Sequence, residues 1–140
     1  MKFPKIIPHG IAALALLGLV QAAHAGDVKV TLSGDQETPA VQTAAKGSGT
    51  ISVGADKSVS GSIKTTGLTG ATAGHIHAGA VGQKGAPVVS LTKVSDDEWA
   101  VPAGTTLSDA DYEAFKAGKL YVNIHSAANK GGEIRGQIAP

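Results

Sequence analysis

Residues 119–138 alternate apolar and polar side chains twice, on either side of a short loop, and only one local structure satisfies that pattern. Leu120, Val122 and Ile124 interleave with Tyr121, Asn123 and His125; Ile134, Gly136 and Ile138 interleave with Glu133, Arg135 and Gln137. A strand sends successive side chains to opposite faces, so period two means two strands, each with one face on a core and one face polar. The loop 126–132 between them is short enough to make them an antiparallel hairpin. This hairpin constrains the rest of the chain, which must supply more strands to cover its apolar face.

The same period recurs upstream. Val28-Lys29-Val30-Thr31-Leu32 alternates cleanly, and residues 49–53 and 58–64 read as a second hairpin around the turn 54–57. Residues 73–78, 88–91 and 98–101 read as further short strands, separated by a polar loop at 33–47 and a glycine-rich loop at 79–87. One segment breaks the pattern. Ser108 is a good N-cap with Asp111 at the third helical position, Leu107 and Tyr112 are spaced as a hydrophobic staple, and Gly118 ends the segment. Residues 108–117 are therefore expected as a helix with Tyr112 and Phe115 facing the core. Many short strands, glycine-rich turns and one short helix predict an all-β fold, an antiparallel β-sandwich or barrel of immunoglobulin-like or superoxide-dismutase-like form.

The N-terminus reads as a targeting segment. Lys2 and Lys5 precede an apolar run over 11–20, and Ala23-His24-Ala25 fits a small-x-small cleavage site. The run is too short to span a bilayer, so residues 1–25 are expected as a secretory signal peptide and 26–140 as a single exported domain, periplasmic or secreted, with no membrane attachment after cleavage. The domain holds ten basic and eleven acidic side chains without a charge run, which argues against nucleic-acid binding. The chain has no cysteine, so no disulfide braces it and any metal site must use nitrogen and oxygen ligands.

With residues 1–25 removed, His75, His77 and His125 are the remaining histidines of the chain. His75 and His77 share one strand face with Ile76 on the other, and His125 shares a face with Tyr121 and Asn123. If the two strands lie side by side, three imidazoles converge into the ligand set of a transition metal. Three nitrogen ligands without thiolate suit Cu(II) or Zn(II), and the Irving–Williams order in an exported compartment favours copper. The competing reading makes two of them solvated strand histidines and the third a hydrogen-bonding group. Arg135 has two readings as well. It pairs with Glu133 or Asp97 on an exposed face, or it sits beside the metal and attracts a small anion. Glu133 is either a solvated carboxylate or the group that orients a histidine, and Asn123 and Gln137 read as sheet-surface residues. No nucleophile elbow and no phosphate loop is present.

Three blocks resemble a known family. They are Leu32-Ser33-Gly34-Asp35-Gln36-Glu37-Thr38-Pro39-Ala40-Val41, Gly74-His75-Ile76-His77, and Leu120-Tyr121-Val122-Asn123-Ile124-His125-Ser126 with Gly131-Gly132-Glu133-Ile134-Arg135-Gly136-Gln137. In this order they resemble the CHRD domain, named for the repeats of chordin, an extracellular antagonist of growth factors. The resemblance implies an exported β-sandwich-like domain and leaves the function open. A looser similarity is to copper superoxide dismutases, which are all-β, carry His-x-His on a strand and place an arginine near copper. That similarity implies a copper-only site at His75, His77 and His125, with superoxide as the anion that Arg135 guides. It supplies no second metal site, for want of further histidines. The function expected is thus a mononuclear tri-histidine metal domain, with copper, alternatively zinc, and with dismutation of superoxide as its candidate activity. The alternatives are a non-catalytic extracellular interaction module with a protein partner, and a metal carrier without turnover. The oligomeric state is open.

Overall fold

The computed structural model describes residues 24–140; the segment 1–23, and with it most of the expected signal peptide, lies outside the described residues. Nine strands follow: β1 His24–Ser33, β2 Lys46–Gly54, β3 Val59–Thr66, β4 Ala71–Ala78, β5 Pro87–Ser90, β6 Thr92–Ser95, β7 Glu98–Ala100, β8 Leu120–Ser126 and β9 Ile134–Ile138. They pair antiparallel in one sheet of order β5-β4-β8-β9-β1-β2-β3-β7-β6. The two end strands, β5 and β6, are separated in the chain by Leu91 alone, whose N–H donates to the Gly74 carbonyl of β4 at 2.8 Å. The sheet therefore curls until its ends meet, and the result is a nearly closed antiparallel barrel. Closure removes most of the unpaired edge that an open sheet would present.

The expected core face is the observed one. Val28, Val30, Leu32, Ile51, Ile63, Ile76, Trp99, Val122, Ile124, Ile134 and Ile138 point into the barrel and are buried. The helix α1, Asp109–Lys116, falls inside the expected 108–117. The Asp111 N–H donates to Ser108 Oγ at 3.1 Å, while Ser108 Oγ–H donates to the Asp111 carboxylate at 2.7 Å, so the two residues satisfy each other at the helix start. Phe115 packs into the hydrophobic core with no exposed surface. Strand β6 has no counterpart in the sequence reading, because all four of its residues are exposed and nothing in them alternates.

One expectation about the faces is corrected. On the polar face of the β8–β9 hairpin the sequence reading makes Asn123 and Gln137 sheet-surface residues, Glu133 a solvated carboxylate or a group that orients a histidine, and Arg135 either an exposed partner of Glu133 or Asp97 or a cation beside the metal. Instead Tyr121, Asn123, Glu133 and Arg135 are all buried, at 3%, 2%, 8% and 2% exposure, and Gln137 is half-buried. Loops 34–45, 79–86 and 127–133 fold over that face. The sheet thus separates two interiors, an apolar one inside the barrel and a polar one beneath the loops.

Ile76 ties the two interiors together, since it is 1% exposed in the core while its neighbours His75 and His77 face the polar layer. Ile76→Val should cost about 0.5–1.5 kcal/mol and Ile76→Ala about 2–5 kcal/mol of folding stability. Urea denaturation with an unchanged m-value checks both.

Candidate metal centre

The pairing of β4 with β8 builds the site. In this register Ala73 lies opposite His125, His75 opposite Asn123, and His77 opposite Tyr121. The three histidines therefore sit on one face of two adjacent strands, as the alternation predicts. Their ligand atoms all lie within 4.8 Å of one another. His75 and His125 are half-buried and His77 is buried, so the cluster is open on the His75 and His125 side and closed behind His77.

Hydrogen bonds determine which nitrogen of each ring is free. His77 Nδ1 is 2.8 Å from the Gly85 carbonyl, and His125 Nδ1 is 2.8 Å from the Lys130 carbonyl. A carbonyl only accepts, so both rings carry their proton on Nδ1 and turn an unprotonated Nε2 inward. His75 Nδ1 lies 3.1 Å from His125 Nε2 and supplies the proton of that contact in the metal-free form. His77 Nε2 is buried and has no hydrogen-bond partner. A buried orphan lone pair carries a desolvation cost that a cation relieves. Imidazole nitrogens bound tetrahedrally at about 2.0–2.1 Å from an ion stand roughly 3.3 Å apart, so the cluster needs only a small contraction to close on one. The donor set therefore fits a late divalent transition metal.

Two loops supply these carbonyls, and each is held by residues of the polar layer. The loop 79–86 is clamped by Arg135, whose Nη1 donates to the Gln83 carbonyl at 2.7 Å and whose Nη2 donates to the Ala80 carbonyl at 2.9 Å. Gln137 Nε2 donates to the Gly79 carbonyl at 2.8 Å, and the Gly85 N–H donates to Tyr121 Oη at 3.1 Å. Gly85 is obligatory at this point, because a Cβ there would stand 1.4 Å from the Ala78 carbonyl oxygen. The loop 127–133 is organised by Glu133, whose carboxylate accepts from Ser126 Oγ at 2.9 Å, Asn129 Nδ2 at 3.0 Å and Thr43 Oγ1 at 3.1 Å. Glu133 is thus neither solvated nor bonded to a histidine. It acts on His125 at one remove, by shaping the loop that presents the Lys130 carbonyl.

Arg135 also corrects its sequence reading. Its guanidinium carbon lies 3.5 Å from the centroid of the Tyr121 ring, and the opposite side of that ring stacks on His77, with centroids 5.0 Å apart and planes 6° from parallel. Arg135 forms no salt bridge among the described residues. It stands behind Tyr121 as a buried cation whose donors are engaged with loop carbonyls. Gly85, Glu37 and the Lys130 carbonyl escape the sequence reading as site components, since backbone carbonyls and loop packing leave no trace in a period-two pattern.

The His75 and His77 rings are disposed toward neutrality. Burial holds the His75 imidazole below its ordinary pKa, helped by the neighbouring His125 and His77. Burial does the same at His77, against the opposing hydrogen bond to Gly85. A histidine whose folded pKa lies below its unfolded value contributes stability that is complete above about pH 6.5 and is lost as pH falls through the folded value. Glu37 has the opposite sign, because burial pushes its carboxyl up and it favours folding at low pH. The metal-free Glu37→Gln protein should therefore hold a constant urea midpoint from pH 8 to 7 and lose it progressively below pH 6.5, and His77→Gln in that background should flatten the loss. A separate measurement concerns Arg135. Arg135→Lys keeps the charge but not the forked donors, and should cost about 1.5–3 kcal/mol in urea denaturation through the unmade loop bonds.

Compared with known protein families, the chain matches the CHRD domain over residues 28–138. No curated protein and no solved structure matches it at the significance required. The match begins in β1, ends at the last residue of β9 and includes all three histidines, Glu37 and Arg135. The chain belongs to the CHRD domain family.

Proposed function

We propose that this CHRD domain is exported and holds one transition-metal ion through His75, His77 and His125, with copper as the resident ion and zinc as the alternative. The observation that carries this reading is the inward Nε2 of His77, buried and unpartnered beside two further imidazoles. Two rings have their second nitrogen bonded to a backbone carbonyl, which is the usual support of a metal-bound histidine. Three neutral imidazoles without a thiolate favour copper over the other first-row divalent ions. The basic, apolar and small-residue pattern of 1–25 supports export, with cleavage after Ala25. Strand β1 begins at His24, so that cleavage trims its first two residues and leaves the register from Gly26 onward.

The reading of superoxide dismutation rests on the opening at His75 and His125, through which a small molecule reaches the cluster. Copper held there supplies one-electron exchange. The chain positions three imidazoles, leaves one side accessible, and places the Arg135 charge behind Tyr121 and His77. Arg135 then contributes a positive field at the site. Direct binding of the anion does not fall to it, since it is 2% exposed and its two terminal nitrogens already donate to the Gln83 and Ala80 carbonyls and to Gln137 Oε1. A non-catalytic extracellular module and a metal carrier remain the other readings of the family.

Elemental analysis of the protein purified from the exporting compartment should find about one copper per chain, and N-terminal sequencing should start at Gly26. His77→Ala with His125→Ala should abolish retention, and retention in the double variant refutes the tri-histidine reading. Superoxide decay by the copper-loaded protein, lost in the double variant, supports turnover. Full copper content without decay identifies a carrier instead.

A further inference from the structure

Asn123 occupies the centre of the polar layer. On β8 it lies between Tyr121 and His125; across the sheet it is opposite His75 on one side and Arg135 on the other. It is 2% exposed. Directly opposed residues on one face of an antiparallel pair have Cβ atoms about 4.5–5.5 Å apart, so Asn123 forms the floor between the histidines.

The orientation of its amide follows from its neighbours. Nδ2 donates to the Gly131 carbonyl at 3.4 Å. The Glu37 carboxylate lies on the same side, because a Cβ on Gly132 would stand 2.4 Å from Asn123 Nδ2 and 2.5 Å from Glu37 Oε1. Both neighbours are oxygens that accept, so the NH₂ end belongs there and Oδ1 turns the other way. Oδ1 is buried and has no hydrogen-bond partner, like His77 Nε2. The Asn123 side chain lies against the His77 ring. Two orphan lone pairs, one nitrogen and one oxygen, in a buried cluster without a cation each carry a desolvation cost. A single ion between them relieves both.

We propose that the Asn123 carboxamide oxygen is a fourth donor to the ion held by His75, His77 and His125, and that Glu37 is the positioning residue that fixes the amide from behind. The inference rests on the metal reading of the three histidines. It leaves the solvent side, between His75 and His125, as the exchangeable position.

The test is Co(II) titration of the purified protein, followed by its visible d–d absorption. Asn123→Ala should weaken Co(II) binding about 10–100-fold and change the position and intensity of the band. Asn123→Asp keeps the size and offers a charged oxygen, so it should restore binding with a band displaced from that of the wild type. Glu37→Ala, which frees the amide to rotate, should shift the band in the direction of Asn123→Ala. Wild-type affinity and spectrum in both Asn123→Ala and Asn123→Asp overturn the proposal while leaving the three histidines as ligands. If Asn123→Ala does not fold, an unchanged band in Asn123→Asp overturns it alone. Absence of Co(II) binding by the wild type overturns the histidine reading and this one with it.

Discussion

The register of β4 on β8 is the constraint from which the rest follows. Ile76 and Val122 meet on the barrel side, and His75, His77, Tyr121, Asn123 and His125 meet on the other. A slip of one residue would send the imidazoles into a core of Ile, Val, Leu and Trp side chains and expose Ile76 and Ile124. Burial of the apolar set therefore holds the histidines together, although no histidine contributes to that burial. The histidine cluster is a by-product of core packing at the level of the strands, and its precision is added later by loops.

That precision comes from backbone carbonyls. Gly85 and Lys130 each fix one imidazole by accepting its Nδ1 proton, and each belongs to a loop anchored by a buried charged side chain, Arg135 in one case and Glu133 in the other. A buried charge is costly unless its hydrogen bonds are met. Arg135 meets this condition with the Gln83 and Ala80 carbonyls, the Gln137 amide oxygen and the face of Tyr121. Glu133 meets it with three donors. The same bonds that satisfy these charges hold the loops still, so rigidity at the histidines and satisfaction of the buried charges have one cause. Glu37 and Asn123 complete the layer, and their unpartnered oxygens mark where its bonding is incomplete.

Much of this was legible in the chain as written. Period two located eight of the nine strands, because each of those eight holds buried core side chains, Val89 in the case of β5. It missed β6, whose residues are all exposed and face no core. Ser108, Asp111 and Gly118 marked the helix, since capping is a local interaction between residues a few positions apart. The convergence of the three histidines was readable from shared faces. Their tautomers were not, because the partners of His77 and His125 are carbonyls, and every residue has one.

Local period and composition determined by themselves that this is a cysteine-free, antiparallel β domain with its three histidines on one side of the sheet. Those properties depend on side-chain spacing along a strand, which the order of residues states directly. Only the tertiary structure decided that the polar face is an interior, with Arg135 clamped to a loop where solvent was expected, and with Asn123 and Glu37 beneath the histidines. Whether a polar side chain is solvated or buried depends on which distant loop folds over it. Segments 34–45, 79–86 and 127–133 are brought together by the pairing of β4, β8, β9 and β1, and their spacing in the chain carries no record of that contact.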